Sequence, residues 1–256
     1  MPVCSRPMTN LTTPPQGTAH DDDVTTLARA DVARALQEDV GAGDLTAGLI
    51  DPARRARARI LAREAAVICG APWVEAALRA LDPGVRLTWR AAEGQRCAPE
   101  QVVLEIEGNA RALLSAERTA LNFLQLLSAV ATKTARYVDA IRDVAPRRAR
   151  IVDTRKTLPG LRLAQKYAVR TGGGLNHRIG LHDAILIKEN HIAAAGGVTA
   201  ALRQAFALRS GVDVQIEVET LEQLAEALAA GATSVLLDNF DLERMRAAVA
   251  LTAGRA

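Results

Sequence analysis

Apolar residues recur at helical spacing between Thr25 and Gln37, through Leu27, Val32 and Leu36, and a turn-rich run, EDVGAGDLT, follows from Glu38. The pattern predicts one helix and a loop at the start of the fold. The stretch RARARILAREAAVICG (55–70) then alternates before becoming continuously apolar, a helical pattern surrounds Trp73 to Leu81, and β-type runs lie at Val85–Trp89 and Val102–Ile106. These elements predict a small mixed α/β domain. From Ala110 to Arg142 the helical pattern is almost unbroken, too long for an ordinary helix without a bend, and is expected to bridge two domains.

After Pro146 the pattern becomes a repeat. IVDTRK precedes a helix from Leu161 to Arg170, AILIKEN one near Val198–Leu208, VQIEVE one from Leu221 to Ala230, and SVLLDNF one from Leu242 to Leu251. Consecutive βα units of this kind predict a parallel sheet covered by helices. Thr220 and Gln223 form a T-x-x-Q capping-box signature at the third helix. Each apolar run ends in ionisable residues: Asp153 with Arg155 and Lys156, Lys188 with Glu189, Glu217 with Glu219, and Asp238. In α/β barrels the carboxyl ends of parallel strands converge on one rim, where catalytic groups sit. Any one of these residues could instead cap the next helix or meet water, but cations and anions gathered on one rim argue for a site.

Composition narrows the chemistry. A chain of 256 residues, 49% hydrophobic, with mean hydropathy near zero, fits a globular α/β protein of one large or two modest domains. No apolar stretch approaches the ~20 residues of a membrane helix. The first twenty residues read as a disordered tail and not as a signal peptide, so cytoplasmic residence is expected. Cys4, Cys69 and Cys97 are far apart and lack CxxC spacing, which argues for free thiols, two of them buried, and against a disulfide framework or zinc site. With a net charge of only +3 and 3% aromatic residues, nucleic acid is not an expected partner. Positive charge confined to a pocket suits a small, strongly anionic substrate.

The segment from Asp153 to Ile192 holds three of the four histidines, three of the four lysines and a Gly-Gly-Gly turn, in a chain where Arg outnumbers Lys 28 to 4. Where Arg serves as the general cation, a retained Lys suggests a chemical reason, because Lys is a compact point charge and Arg a planar fork. A merely solvated basic face would instead scatter its charges along helices. Gly172–Gly174 could cradle a phosphate, but a Gly run after a helix is more often a C-cap and tight turn. His182 and His191 read as hydrogen-bonded structural residues, and Lys133 as a residue of a dimer contact. Glu189 and Asn190 could orient Lys188 or touch substrate.

DTRKTLPGLR, GGGLNHRIGLHDAILIKENHI, the Glu of VQIEVE and LLDNF, with the earlier EDVGAGDLT and GNARALLSAERTALNFLQLLSAVATKT, resemble the quinolinate phosphoribosyltransferase family, the nicotinate-nucleotide pyrophosphorylases of NAD biosynthesis. The resemblance covers about residues 25 to 256. It implies a disordered tail over 1–20, a mixed α/β N-terminal domain over 21–115, and an open, incomplete α/β barrel over 116–256. It also implies a homodimer with shared active sites, possibly assembling further. The implied reaction joins quinolinate to 5-phosphoribosyl-1-pyrophosphate, giving nicotinate mononucleotide, pyrophosphate and CO2. Arg155, His177 and Arg178, with Thr154 beside them, would bind the substrate, and Arg118 would reach in from the partner subunit. Lys156 and Lys188 would offset developing charge. Glu217 and Asp238 would hold the ribose hydroxyls and Mg2+ that arrives with the donor. No organic cofactor is implied, because quaternising the ring nitrogen itself stabilises the carbanion left by CO2.

The resemblance breaks at the end of the sequence given. In the family the chain continues after LLDNF and its helix into strands ending in Ser-Gly-Gly and Gly-Ala turns that hold the donor's 5-phosphate. Here it stops at GRA, leaving the flank of the SVLLDNF strand uncovered. Weak or no turnover, with quinolinate affinity retained, is the corresponding expectation. The rivals are a non-catalytic dicarboxylate-binding paralogue, a related enzyme of altered substrate, and an aldolase-type barrel using Lys188 as a Schiff base.

Overall fold

The computed structural model describes residues 19–144, 149–208 and 211–256. Residues 1–18 of the expected tail, with Cys4, and Pro146 lie outside the described residues. The chain forms two compact units, Met1–Asn176 and His177–Ala256. The second of these begins later than the expected barrel half at residue 116.

The first unit opens with helix α1 (Ala19–Asp39), which starts six residues before the periodicity at Thr25 becomes legible, because residues 20–23 (His-Asp-Asp-Asp) carry no apolar repeat. Strands β1 (Arg55–Leu61) and β2 (Ala66–Val67) precede helix α2 (Ala71–Leu81), and β3 (Arg86–Trp89), β4 (Arg96–Cys97) and β5 (Val102–Asn109) follow. β1, β5 and β3 pair antiparallel in that order, with Arg59 opposite Glu105 and both Arg57 and Arg86 opposite Glu107. The Arg-Ala alternation of β1 therefore keeps Arg55, Arg57 and Arg59 exposed while Ala56 and Ile60 pack on the core.

Helix α3 (Ala110–Arg142) is an unbroken run of 33 residues within this unit. Its N-terminus is fixed by the Asn109 side chain, which accepts from the Ala112 amide at 3.2 Å. Its length is sustained by a buried stripe, Ala116, Ala120, Phe123, Leu124, Leu127, Ala131 and Ala135, which packs with Trp73, Val74, Ala77 and Leu78 of α2. Trp73 is fully buried, and its indole N–H donates to the buried Asp31 carboxylate of α1 at 3.0 Å. The N-terminus of α2 is closed by Glu93, whose carboxylate accepts from the Gly70 and Ala71 amides and from the Tyr167 hydroxyl. Burial, and then the Glu93 charge, push the Cys69 thiol up, so this cysteine packs as an apolar residue.

Helix α4 (Arg162–Thr171) closes the unit with a Schellman turn. The Gly174 amide donates to Val169 O at 3.0 Å, the Gly173 amide to Arg170 O at 2.9 Å, and Gly173 has φ +87°. The Gly-Gly-Gly run is thus a C-cap, and it also permits close packing: a Cβ on Gly172 would lie 2.4 Å from Ala131 O of α3. The strand expected at IVDTRK is reduced to a single parallel bridge between Val152 and Leu175. Only Ile151 and Val152 are apolar there, too few to extend a ladder once Asp153 turns to α4.

The second unit contains β6 (Ile185–Ile187), α5 (Glu189–Ala195), α6 (Val198–Ala207), β7 (Val214–Val218), α7 (Leu221–Ala229), β8 (Val235–Leu237) and α8 (Leu242–Thr252). The strands form an open parallel sheet in the order β6-β7-β8, with Ile187 beside Ile216 and Val218 beside Leu237. Ile187, Ile216 and Val218 pack with Leu202, Leu224 and Leu228 of the covering helices. Helix α5, seven residues or about two turns long, had no sequence signature. The expected capping box is half formed: Thr220 accepts from the Gln223 amide at 3.2 Å, but the Gln223 side chain accepts from Glu219, one residue before the cap. No helix among the described residues is long and apolar enough to cross a membrane.

Gly172→Ala should lower the unfolding free energy by about 2 kcal/mol or more through overpacking. Gly173→Ala, whose Cβ meets nothing closer than Val138 Cγ1 at 3.6 Å, should cost roughly 1 kcal/mol through its left-handed backbone. Denaturant unfolding of both variants checks this order.

Candidate active site

Register builds the site of the second unit. Because Ile187 pairs with Ile216, the next residues on each strand, Lys188 and Glu217, stand side by side on one face at the carboxyl ends of β6 and β7. Glu217 pairs with Leu236, so Asp238, two residues on, shares that face at the end of β8. The same face carries Gln215 and Ser234 with Leu186 and Leu236, whereas Ile185, Ile187, Val214, Ile216, Val218, Val235 and Leu237 occupy the other. A parallel sheet normally presents apolar residues on both faces. Here one face is polar along β7 and at the strand ends, and the V-Q-I-E-V alternation of β7 is the sequence signal for it.

The Lys188 ammonium donates to both oxygens of Glu217, at 3.1 and 3.0 Å, with the carboxylate largely buried and the lysine half exposed. Asp238 has no cation within ion-pair distance among the described residues. Its amide is held by Val218 O at 3.0 Å, while Asn239, with φ +59°, turns its amide group to Glu219 and Asp238. His191 Nδ1 accepts from the Lys188 amide at 3.0 Å, so His191 caps α5 and fixes the backbone of Lys188. Glu189 and Asn190, expected to orient Lys188 or to touch substrate, are exposed, and Asn190 Nδ2 donates to Glu189 Oε1 at 3.1 Å.

His177 is oriented through a residue that motif reading missed. Gln215 donates its side-chain amide to Ser234 Oγ at 2.9 Å, which turns its carbonyl oxygen to His177 Nε2 at 3.0 Å. With Gln215 so turned, His177 Nε2 is the donor of this bond. Arg178 donates to Ala184 O at 3.4 Å at the other end of the loop. That loop is closed by Asp183, which accepts from the Ile179 and Gly180 amides at 2.6 and 2.9 Å. Burial opposes its ionisation, but the backbone N–H bonds and His182 outweigh that, and its pKa is held below the ordinary value.

Arg118, Thr154, Arg155 and Lys156 belong to the first unit. Arg118 is exposed on α3 and lines a cleft of about 200 Å³ with Glu38, Asp39 and Asn122. Thr154 Oγ1 accepts from the Lys156 amide at 3.0 Å, and Lys156 is exposed. Arg155 is half buried, and its Nε is fully buried with no hydrogen-bond partner, a state that costs about 1–3 kcal/mol until an acceptor is supplied. Lys133 lies 5.6 Å from the ring of Tyr137 on the same helix. No cluster of three or more potential metal ligands occurs among the described residues.

An α/β protein whose parallel strands end in a lysine, a glutamate and an aspartate on one polar sheet face belongs to the class that carries its chemistry at strand ends. Residues 44–128 match the quinolinate phosphoribosyl transferase N-terminal domain, and residues 130–256 match the C-terminal domain of the same family. The chain is 42% identical over 216 residues to the probable nicotinate-nucleotide pyrophosphorylase (carboxylating) of Bacillus subtilis, covering 84% of this chain and 74% of that protein. It is 44% identical over 229 residues to the nicotinate-nucleotide pyrophosphorylase (carboxylating) of Mycobacterium leprae, covering 87% and 78% of the two. The solved nicotinate-nucleotide pyrophosphorylase of Francisella tularensis superposes with a TM-score of 0.85 at 43% identity, covering 90% and 81%. The chain belongs to the quinolinate phosphoribosyltransferase family.

Asp183→Asn should lower thermal stability at neutral pH. Because the folded-state pKa is depressed, the carboxylate's contribution is present above its unfolded-state pKa and lost as pH falls through the lower folded-state value. The difference between wild type and variant should therefore shrink on acidification below the ordinary carboxylate range, as melting curves across pH would report.

Proposed function

We propose that this protein transfers the phosphoribosyl group of 5-phosphoribosyl-1-pyrophosphate to the ring nitrogen of quinolinate and releases nicotinate mononucleotide, pyrophosphate and CO2. The observation that carries the reading is the Lys188–Glu217 pair beside Asp238 on three adjacent strand ends, in a chain 42–44% identical to proteins named for that activity. The same relatives favour it over a non-catalytic dicarboxylate-binding paralogue. A Schiff-base reading of Lys188 fits less well, since its Nζ is engaged by both oxygens of Glu217 and not turned to an apolar pocket.

In this mechanism the cations receive a dianion and a polyanionic donor. Arg155, whose buried Nε lacks an acceptor, would bind a quinolinate carboxylate, with Thr154, His177 and Arg178 completing its recognition. His177, oriented through Nε2 by Gln215, would present its ring edge to the substrate. Attack of the ring nitrogen on the ribosyl carbon expels pyrophosphate, and Lys156 and Lys188 offset the charge that develops. Glu217 and Asp238 would hold ribose hydroxyls and stabilise the cationic ribosyl carbon. The C–CO2 bond then breaks, its electron pair stays on the carbon beside the quaternised nitrogen, and a proton replaces it.

Two carboxylates without thiol ligands make a donor set suited to a hard cation that keeps waters and binds chiefly through substrate phosphates, so Glu217 and Asp238 would hold Mg2+. The ion would supply charge neutralisation on the departing pyrophosphate. The proposal includes a homodimer in which Arg118, exposed and unpaired among the described residues, completes the partner's site. A cytoplasmic setting is supported by the free thiols of Cys69 and Cys97.

Titration of the purified chain with quinolinate, and an assay for nicotinate mononucleotide with donor and Mg2+, test this reading. Arg155→Met should weaken quinolinate binding, and Lys188→Ala should reduce turnover, whatever its starting rate, by about 100-fold or more. Absence of quinolinate binding by the folded protein would contradict it. If Arg118 acts across the dimer, mixing Arg118→Ala with Lys188→Ala protein should restore activity that neither has alone.

A further inference from the structure

We infer that Lys166, a residue assigned no role above, is a positioning residue that holds the Thr154–Arg155–Lys156 segment in place from beneath, through a buried ion pair with Asp153. The inference rests on the proposed role of Arg155 and Lys156 in substrate binding.

Lys166 is 1% exposed, the most deeply buried charged residue among those described, and sits on α4 between Ala164 and Ala168, which face the apolar core. Taking an ammonium out of water costs several kcal/mol unless a counter-charge and further hydrogen bonds meet it. Lys166 Nζ meets Asp153 Oδ1 at 2.5 Å, and both side chains are almost wholly buried. The other carboxylate oxygen, Oδ2, accepts from Asn176 Nδ2 at 2.6 Å. Asn176 Nδ2 also donates to the backbone oxygen of Lys166 at 2.9 Å, and its Oδ1 accepts from Arg170 Nη1 at 2.5 Å. The Asp153 amide in turn donates to Leu175 O at 3.1 Å. Asp153 is thus fixed through both carboxylate oxygens and its backbone.

Asp153 is also the last residue anchored in this way before Thr154, Arg155 and Lys156. The far end of the segment is tied to the same helix: Thr157 Oγ1 accepts from Arg162 Nε at 3.2 Å, and Gln165 Oε1 accepts from the Leu158 amide at 2.7 Å. The stretch 153–158 is therefore strapped across α4 at three points, of which Asp153–Lys166 is the buried one. An exposed tie competes with water, whereas a charged pair taken out of water does not exchange with solvent in the same way, so this one sets the position. A pair kept only for stability would be poorly chosen, because apolar residues of similar volume generally serve as well or better in a core. Directly before two cations that must meet an anion, geometric precision is worth that cost: a displacement of about 1 Å at a binding group can reduce rate ~100-fold.

The test replaces both charges at once, Asp153→Asn with Lys166→Met in the full chain, so that no unpaired buried charge remains and the fold is preserved. Amide hydrogen exchange at Leu158, which donates to Gln165 of α4, and at Lys156, which donates to Thr154 Oγ1 within the held segment, should accelerate about tenfold while amides of α3 are unchanged. Quinolinate affinity should fall about tenfold, and Arg155→Met in the double-variant background should then cost less than it does in wild type. Asn176→Ala, which frees one carboxylate oxygen and keeps the ion pair, should accelerate the same amides about threefold and serves if the double variant does not fold. Unchanged exchange at Lys156 and Leu158 in a folded variant would overturn the inference, as would faster exchange with unaltered quinolinate affinity. If wild type binds no quinolinate, the functional reading fails, and the exchange measurement alone still decides whether Lys166 holds the segment.

Discussion

The in-register pairing of three short parallel strands is the constraint on which the candidate site depends. Since side chains alternate along a strand, a one-residue slip of β6 against β7 would send Lys188 to the opposite face from Glu217 and bury a charge beside Ile216 and Val218. The apolar face against α6 and α7 therefore locks the register, and the register brings lysine to carboxylate. Packing and chemistry are two faces of one sheet: the residues that hold it to its helices leave the alternate positions free to be polar.

A second constraint operates in the first unit. There the chain has no strand to carry Arg155 and Lys156, only a single bridge at Val152, and rigidity comes from polar ties to α4. The two units thus solve the same problem differently, one with a ladder of backbone bonds and the other with a buried ion pair and side-chain straps. The close approach of Gly172 to α3 belongs to the second solution, since it seats the C-terminus of α4 and with it the helix to which the cation-bearing segment is tied.

Much of this was legible in the sequence. The apolar periodicities of α2, α3, α6, α7 and α8 located those helices to within a residue or two; the first four each bury a stripe, whereas α8 buries only Ala248. The runs ILI, VQIEV and VLL marked the parallel strands, and the ionisable residues at their ends marked the rim. The early start of α1, the short α5 and the lost strand at Ile151 were not legible. α1 begins in a polar stretch without a repeat, α5 has Lys188 at its N-cap where Ser, Thr, Asp or Asn would be the signal, and the Ile151 strand competes with the pull of Asp153 toward Lys166. Gln215 and Lys166 were missed for a different reason: their roles lie in partners distant along the chain, 38 residues away for Gln215 and 13 for Lys166. Only the excess of Arg over Lys hinted that Lys166 was retained for a purpose.

The central claim is that Lys188 and Glu217 work as one unit at the strand ends. A double-mutant cycle on Lys188→Met and Glu217→Gln, read as kcat/KM for nicotinate mononucleotide formation, tests it most directly. The account predicts strong non-additivity, with the double variant no more than about threefold worse than the poorer single variant. Losses that simply multiply would show that the two residues act independently and would contradict the account.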